Sequence, residues 1–140
     1  LAGKKVDEIE TNVFRVSSRI NSTWGGNLVD MVRSSKIMEI IEEDHLVENA
    51  AVVGKHLQEE LQKVAEKTDK VLNVRGRGLL TAFDFPNQSM RNAFIKKGLE
   101  HHVMFLGCGD QTIRFRPALI IKQQHIDAGL EVIEKILPSL

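Results

Sequence analysis

The chain has 140 residues, and its 19 Lys+Arg are cancelled by 19 Asp+Glu, so the formal net charge is zero. That length fits one ordinary domain, and 42% hydrophobic against 27% charged residues supplies enough apolar material for a core. Zero net charge argues against a broad nucleic-acid or anionic-membrane footprint, since both draw on a positive field. Cys108 is the only cysteine, which excludes an intramolecular disulfide and argues against a cysteine-based zinc site. No run approaches the roughly 20 apolar residues that a membrane span needs. The polar start, Leu1 to Glu10, lacks the apolar centre of a signal peptide. The chain begins without Met, which points to a fragment or a processed product. The expectation is a soluble, cytoplasmic piece of protein.

Along the chain, Asn12-Val13-Phe14-Arg15-Val16 reads as a short strand. The paired glycines of Ser22-Thr23-Trp24-Gly25-Gly26-Asn27 then break the pattern. A helix follows, capped by Asn27, with Leu28, Met31, Val32, Ile37, Met38 and Ile41 as its apolar stripe. Asp44 opens a second helix, with Val47, Ala50, Ala51, Gly54, Leu57, Leu61 and Val64 on one face. Val71 to Val74 precede Arg75-Gly76-Arg77-Gly78, which reads as a turn. Leu79 to Phe85 is a strand with Leu79, Thr81, Phe83 and Phe85 on one side, ended by Pro86.

A third helix runs from about Gln88 to His101 on Met90, Phe94, Ile95 and Leu99. Val103 to Leu106 reads as a strand and Gly107-Cys108-Gly109-Asp110 as a turn. Thr112 to Arg116 alternates, with Ile113 and Phe115 on one side and Thr112, Arg114 and Arg116 on the other. Ala118 to Ile121 continue extended, and Ile126, Leu130, Ile133 and Leu137 mark a last helix stopped by Pro138. These elements predict an α+β fold, a small antiparallel sheet covered by helices.

Two features can receive anions. A helix start offers unpaired N–H groups and partial positive charge to a phosphate, with hydroxyls from Ser22 and Thr23. The alternative, a glycine turn and a capped helix needing no ligand, stays open. Arg114 and Arg116 share a strand face, and guanidinium groups suit bidentate capture of carboxylate or phosphate. A solvated face paired with Asp or Glu is the competing reading. Arg75 and Arg77 are expected in solvent, Cys108 is expected to be an inert thiol, and Trp24 is expected to be buried. Lys4 and Lys5 are expected to be exposed. The five histidines are scattered and suggest no metal site. Neither a nucleophile nor a general base stands out, so composition and spacing leave open a stand-alone, non-catalytic α+β module that binds an anion or a partner.

Asn21-Ser22-Thr23-Trp24-Gly25-Gly26-Asn27, Arg75-Gly76-Arg77-Gly78-Leu79 and Ile113-Arg114-Phe115-Arg116-Pro117 together resemble the C-terminal part of class III aminotransferases. These are pyridoxal 5′-phosphate (PLP) enzymes of fold type I. The likeness extends from Ala2-Gly3-Lys4-Lys5-Val6-Asp7-Glu8 almost to the C-terminus. It looks strongest to the branch that moves the terminal amino group of L-lysine to 2-oxoglutarate, and branches acting on 4-aminobutyrate or ornithine are related. The resemblance implies that Thr23 binds the PLP phosphate of the neighbouring subunit in a homodimer. It implies that Arg114 binds a substrate carboxylate and that Asn21 lines the same pocket; it gives Arg116 no assured role. It also implies residues 1–26 as the end of the large PLP-binding domain and 27–140 as the C-terminal small domain, with a long connecting helix. The Schiff-base lysine of the family falls outside this chain. No catalytic residue is therefore expected here, and the chain alone should be inactive.

Overall fold

The computed structural model describes residues 3–16, 19–20 and 22–140. The chain divides into two compact units, Leu1–Glu39 and Ile40–Leu140. Eight principal elements follow in order: α1 (Leu28–Glu43), α2 (Leu46–Glu66), β1 (Leu72–Arg77), β2 (Leu80–Asp84), α3 (Gln88–Glu100), β3 (Leu106–Cys108), β4 (Thr112–Phe115) and α4 (Gln123–Ile136). The sheet has strand order β1-β2-β4-β3 with every neighbouring pair antiparallel. The α+β class and the helix and strand order expected from sequence are both found.

The first unit holds a 3-10 turn, Lys4–Glu8, and irregular chain leading into α1. The expected strand at Asn12–Val16 is absent. Buried Asn12 instead donates from Nδ2 to the Ile9 carbonyl at 2.8 Å, and its Oδ1 accepts from Phe14 and Arg15 N–H at 3.0 and 3.2 Å. An Asx turn of this kind offers the backbone local partners in place of a ladder. Asn27 caps α1 as expected, its Oδ1 accepting from the Val29 N–H at 2.9 Å. The stripe expected on α1 is present in sequence but unburied: no residue of the helix is buried, and Leu28 and Val32 are 75% and 71% exposed.

In the second unit, α2 buries Leu46, Val53, Gly54, Leu57, Leu61 and Val64. Val47, expected on that face, is exposed. Asp44 is not the cap, because its N–H still bonds the Ile40 carbonyl at 3.0 Å as part of α1. His45 takes the junction, with φ 50° in the left-handed region. The buried face of α2 meets Phe83, Phe85, Phe94, Phe105 and Ile113, with Ile126, Leu130, Ile133 and Ile136 of α4 closing the core. Phe94 lies 4.6 Å from Phe105 and 5.0 Å from Phe85 between ring centroids, so the aromatics form one cluster. Full burial of each such ring contributes roughly 1.5–3 kcal/mol. His56 and Asp127 pair at 2.6 Å and join α2 to α4.

Strand edges differ from the sequence reading. β1 extends through Arg77, so the turn contains only Gly78 and Leu79. β3 occupies Leu106–Cys108 instead of Val103–Leu106, and the turn starts at Gly109. Ala118 to Ile121 contain a turn, closed by the Ile121 N–H on the Ala118 carbonyl at 3.0 Å. The last helix ends at Ile136, and Pro138 sits in the 3-10 turn that follows. Leu99, expected inside, is exposed.

One irregularity shapes the sheet. Between β1 and β2, Leu72 faces Asp84 and Arg75 faces Ala82, so three steps on β1 match two on β2. This bulge, with Asn73 at φ 50°, brings two donors onto Asp84. Asn73 Nδ2 donates to Asp84 Oδ2 at 2.8 Å, and Arg75 donates to Asp84 Oδ1 at 3.0 Å. Thr112 of β4 donates its hydroxyl to the same Oδ1 at 2.6 Å. Burial pushes the Asp84 carboxyl up, and the bonds from Thr112, Arg75 and Asn73 outweigh it, leaving the pKa below the ordinary aspartate value.

Two tests follow from this packing. A Cβ at Gly54 would overlap the Gly78 backbone, which cannot rotate away. Gly54→Ala should therefore destabilise by about 1–3 kcal/mol in urea unfolding, despite the roughly 1 kcal/mol that alanine gains in helix propensity. Because the folded-state pKa of Asp84 is depressed, its stabilisation is full above the unfolded value of about 3.9 and is lost as pH falls through the folded value. The unfolding midpoint should drop as pH falls below about 4, and Asp84→Asn should remove part of that drop.

Candidate functional site

Pairing of β2 with β4 sets Phe83 against Ile113 and Ala82 against Arg114. Strand alternation then sends the first pair into the helix-covered core and the second to the opposite face. That opposite face carries Arg75 and Arg77 on β1, Leu80, Ala82 and Asp84 on β2, Thr112 and Arg114 on β4, and Leu106 and Cys108 on β3. Leu80 is 55% exposed, while Phe83 and Ile113 are 0% exposed.

Arg114 sits centrally, between Ala82 on one neighbour and Leu106 on the other. It is half-buried, and its Nε is fully buried without a hydrogen-bond partner. Among the described residues its guanidinium forms no ion pair, so the solvated, carboxylate-paired reading of this strand face does not describe it. A buried donor left unpaired is unfavourable. Arg114 also lines a cleft of about 290 Å³ with Arg116, Pro117, Met104, Leu106 and His125. The cleft is walled mainly by apolar groups, which strengthens any charge pairing inside it. Arg116 is exposed.

The other sequence-derived residues lie in the first unit. Thr23 is exposed, and among the described residues its hydroxyl makes no hydrogen bond. The Val29 N–H is already taken by Asn27 and the Gly25 N–H by the Ser22 carbonyl at 2.9 Å, so an anion there would draw on Thr23 and the remaining N–H groups of the turn and helix start. Gly26 has φ 74°, a conformation that supports this tight approach into the helix. Trp24 is 75% exposed, contrary to the expected burial. Asn21 lies outside the described residues.

Sequence reasoning missed the Asp84 cluster. Asp84 alternates with Phe83 and Phe85, a visible sign that it faces away from the core, but its partners are assembled by the bulge. Arg75 was expected in solvent; it is exposed and also holds Asp84. Cys108, placed in the turn, lies in β3 with its thiol exposed. Lys4 and Lys5 are exposed, as expected. No helix among the described residues is long and apolar enough to cross a membrane.

Comparison with known proteins bears on what binds here. The family model described as "Aminotransferase class-III" matches residues 5–137. An L-lysine-epsilon aminotransferase of Amycolatopsis lactamdurans is 43% identical over 141 residues, covering 99% of this chain and 31% of that protein. A mitochondrial 4-aminobutyrate aminotransferase of Sus scrofa is 36% identical over 120 residues, covering 85% of this chain and 24% of that protein. A solved lysine aminotransferase from M. tuberculosis superposes with a TM-score of 0.87 at 44% identity, covering 99% of this chain and 32% of that one. The chain thus spans about 31% of the length of the L-lysine-epsilon aminotransferases it matches. With nearly its whole length accounted for by one family model, the chain belongs to the class III aminotransferases.

Proposed function

We propose that the chain is the C-terminal part of a cytoplasmic, homodimeric L-lysine 6-aminotransferase that transfers the terminal amino group of L-lysine to 2-oxoglutarate. The half-buried guanidinium of Arg114, without an ion-pair partner among the described residues, carries this reading. Both substrates bear carboxylates, and a planar fork of donors suits them. Identity of 43–44% to lysine enzymes against 34–36% to 4-aminobutyrate enzymes favours lysine as the amino donor.

The residues present fit PLP as far as this chain reaches. Thr23 offers an exposed hydroxyl close to a positive-φ glycine and a helix start, a donor set suited to a phosphate. In this reading Thr23 serves the phosphate of the neighbouring subunit, and Asn21 lines the substrate pocket with Arg114. When bound, PLP supplies the electron sink for amino transfer. The part of this chain is binding and orientation: Thr23 fixes the phosphate end, and Arg114 fixes the carboxylate end of the substrate. The lysine that carries the cofactor belongs to sequence outside this chain, so the chain alone should not transaminate. Residues 1–26 would close the large cofactor domain and 27–140 form the small domain. The exposed apolar side chains of α1 support a role for that helix in packing against further protein.

In the full-length enzyme, Arg114→Ala should raise KM for both L-lysine and 2-oxoglutarate by about tenfold or more, from the loss of a charge-assisted bond. Unchanged KM values would remove Arg114 from the site. Thr23→Val should speed release of PLP on dilution, corresponding to about 1.5–3 kcal/mol for one bond to a charged phosphate. Cofactor retention equal to wild type would show that Thr23 makes no such contact.

A further inference from the structure

Asn49 interrupts the apolar stripe of α2. It lies three residues after buried Leu46 and four before buried Val53, on the face that the helix turns inward. A polar side chain placed there is unfavourable unless its groups are bonded. The Asn49 backbone N–H closes the first turn of α2 on the His45 carbonyl at 3.0 Å. Its side chain reaches out of the helix. Asn49 Nδ2 donates to the Leu119 carbonyl at 2.7 Å and to the Ile121 carbonyl at 3.0 Å. An amide nitrogen has two N–H donors, and both are spent on one distant loop.

That loop, residues 116–121, runs from the end of β4 to Lys122, the cap of α4. Little else holds it. Pro117 has no N–H, and the Ile121 N–H is used inside the loop on the Ala118 carbonyl at 3.0 Å. Leu119 and Ile120 are exposed, and Ile121 is the loop residue that packs against the core. Among the described residues, Asn49 is the one side chain outside the loop that hydrogen-bonds to it. Arg116 and Pro117, the first two loop residues, line the same cleft as Arg114. The Arg114 backbone is fixed by ladders to Ala82 and Leu106 on either side, but the strand ends at Phe115, before Arg116 and Pro117.

We propose that Asn49 is a positioning residue: by pinning the Leu119 and Ile121 carbonyls to α2, it fixes the Arg116–Pro117 wall beside Arg114 for the substrate carboxylate. The proposal rests on the reading of Arg114 as the carboxylate anchor. A wall ordered before binding raises affinity, because less freedom is lost when the ligand arrives. With the tie removed, the loop samples arrangements in which the wall is displaced. The fraction of enzyme ready for a carboxylate falls, and apparent affinity falls by the same factor. Saturating substrate draws the population back, so kcat is spared.

The experiment is steady-state kinetics on the full-length holoenzyme with Asn49→Asp, Asn49→Ala and Asn49→Gln, beside Arg114→Ala. Asp keeps the shape of Asn but has no N–H to donate, and its charge near the start of α2 favours the helix. N49D and N49A should each raise KM for both L-lysine and 2-oxoglutarate by about fivefold, the factor that one net hydrogen bond is worth. Their kcat should change less than about twofold, and N49Q, which keeps both donors, should stay within about twofold of wild type in KM. If N49A does not fold, N49D carries the same expectation; if neither folds, Asn49 is a stabiliser of the fold and the proposal is overturned. A KM raised by R114A but untouched by N49D and N49A would overturn it. So would a loss confined to kcat, or N49Q as impaired as N49D, since shape would then matter in place of the donors. If R114A itself leaves KM unchanged, the anchor reading fails first and this inference fails with it.

Discussion

The register of β2 against β4 is the constraint on which the second unit depends. Phe83 opposite Ile113 and Ala82 opposite Arg114 cannot be exchanged without moving every side chain to the other face. A slip of one residue would send an arginine into the aromatic cluster and a phenylalanine to solvent. The hydrophobic core therefore fixes where Arg114 points, although Arg114 contributes little to that core. The apolar packing of Phe83, Phe85, Phe94 and Phe105 sets the geometry of the charged face behind it.

The charged face is organised by occupancy as much as by position. Arg75, Arg77 and Arg114 share it with a single acidic residue of the strands, Asp84. A buried carboxylate must be paired, and a strand-borne arginine offers itself readily. Here Arg75 takes the carboxylate, at 3.0 Å. The bulge resolves that choice locally, through Asn73 at φ 50° and the extra step in β1. Irregular backbone here distributes charge, in addition to bending a strand.

Much of this was readable in the sequence, and the misses have physical causes. The alternation of Leu79, Thr81, Phe83 and Phe85, and the stripe of Ile126, Leu130 and Ile133, are period signals that packing obeys. Arg114 was identifiable because Ile113 and Phe115 on either side force it to the other face. The strand expected at Asn12 failed because one side chain satisfied three local bonds that a ladder would otherwise supply. The α1 stripe and Trp24 were read as core, since an apolar side chain signals burial without naming what buries it. The Asp84 cluster was invisible for a different reason. Asn73 and Thr112 are far apart in the chain, and only the bulge and the β2–β4 register bring them to one carboxylate.

The two units differ in a way that bears on how the proposed enzyme divides its work. Residues Ile40–Leu140 close a core of their own, and their strands hold Arg114 on a rigid element. Among the described residues of Leu1–Glu39 little is buried: Phe14, Ile20, Trp24 and Leu28 are all more than half exposed. A segment with that much apolar surface gains its order from neighbours, because its own length cannot bury it. Thr23 lies in this segment, so a phosphate contact made by it depends on assembly, whereas the carboxylate contact of Arg114 depends on strand register. On the proposed reading, cofactor retention is sensitive to association, while a carboxylate contact by Arg114 is preset by strand register.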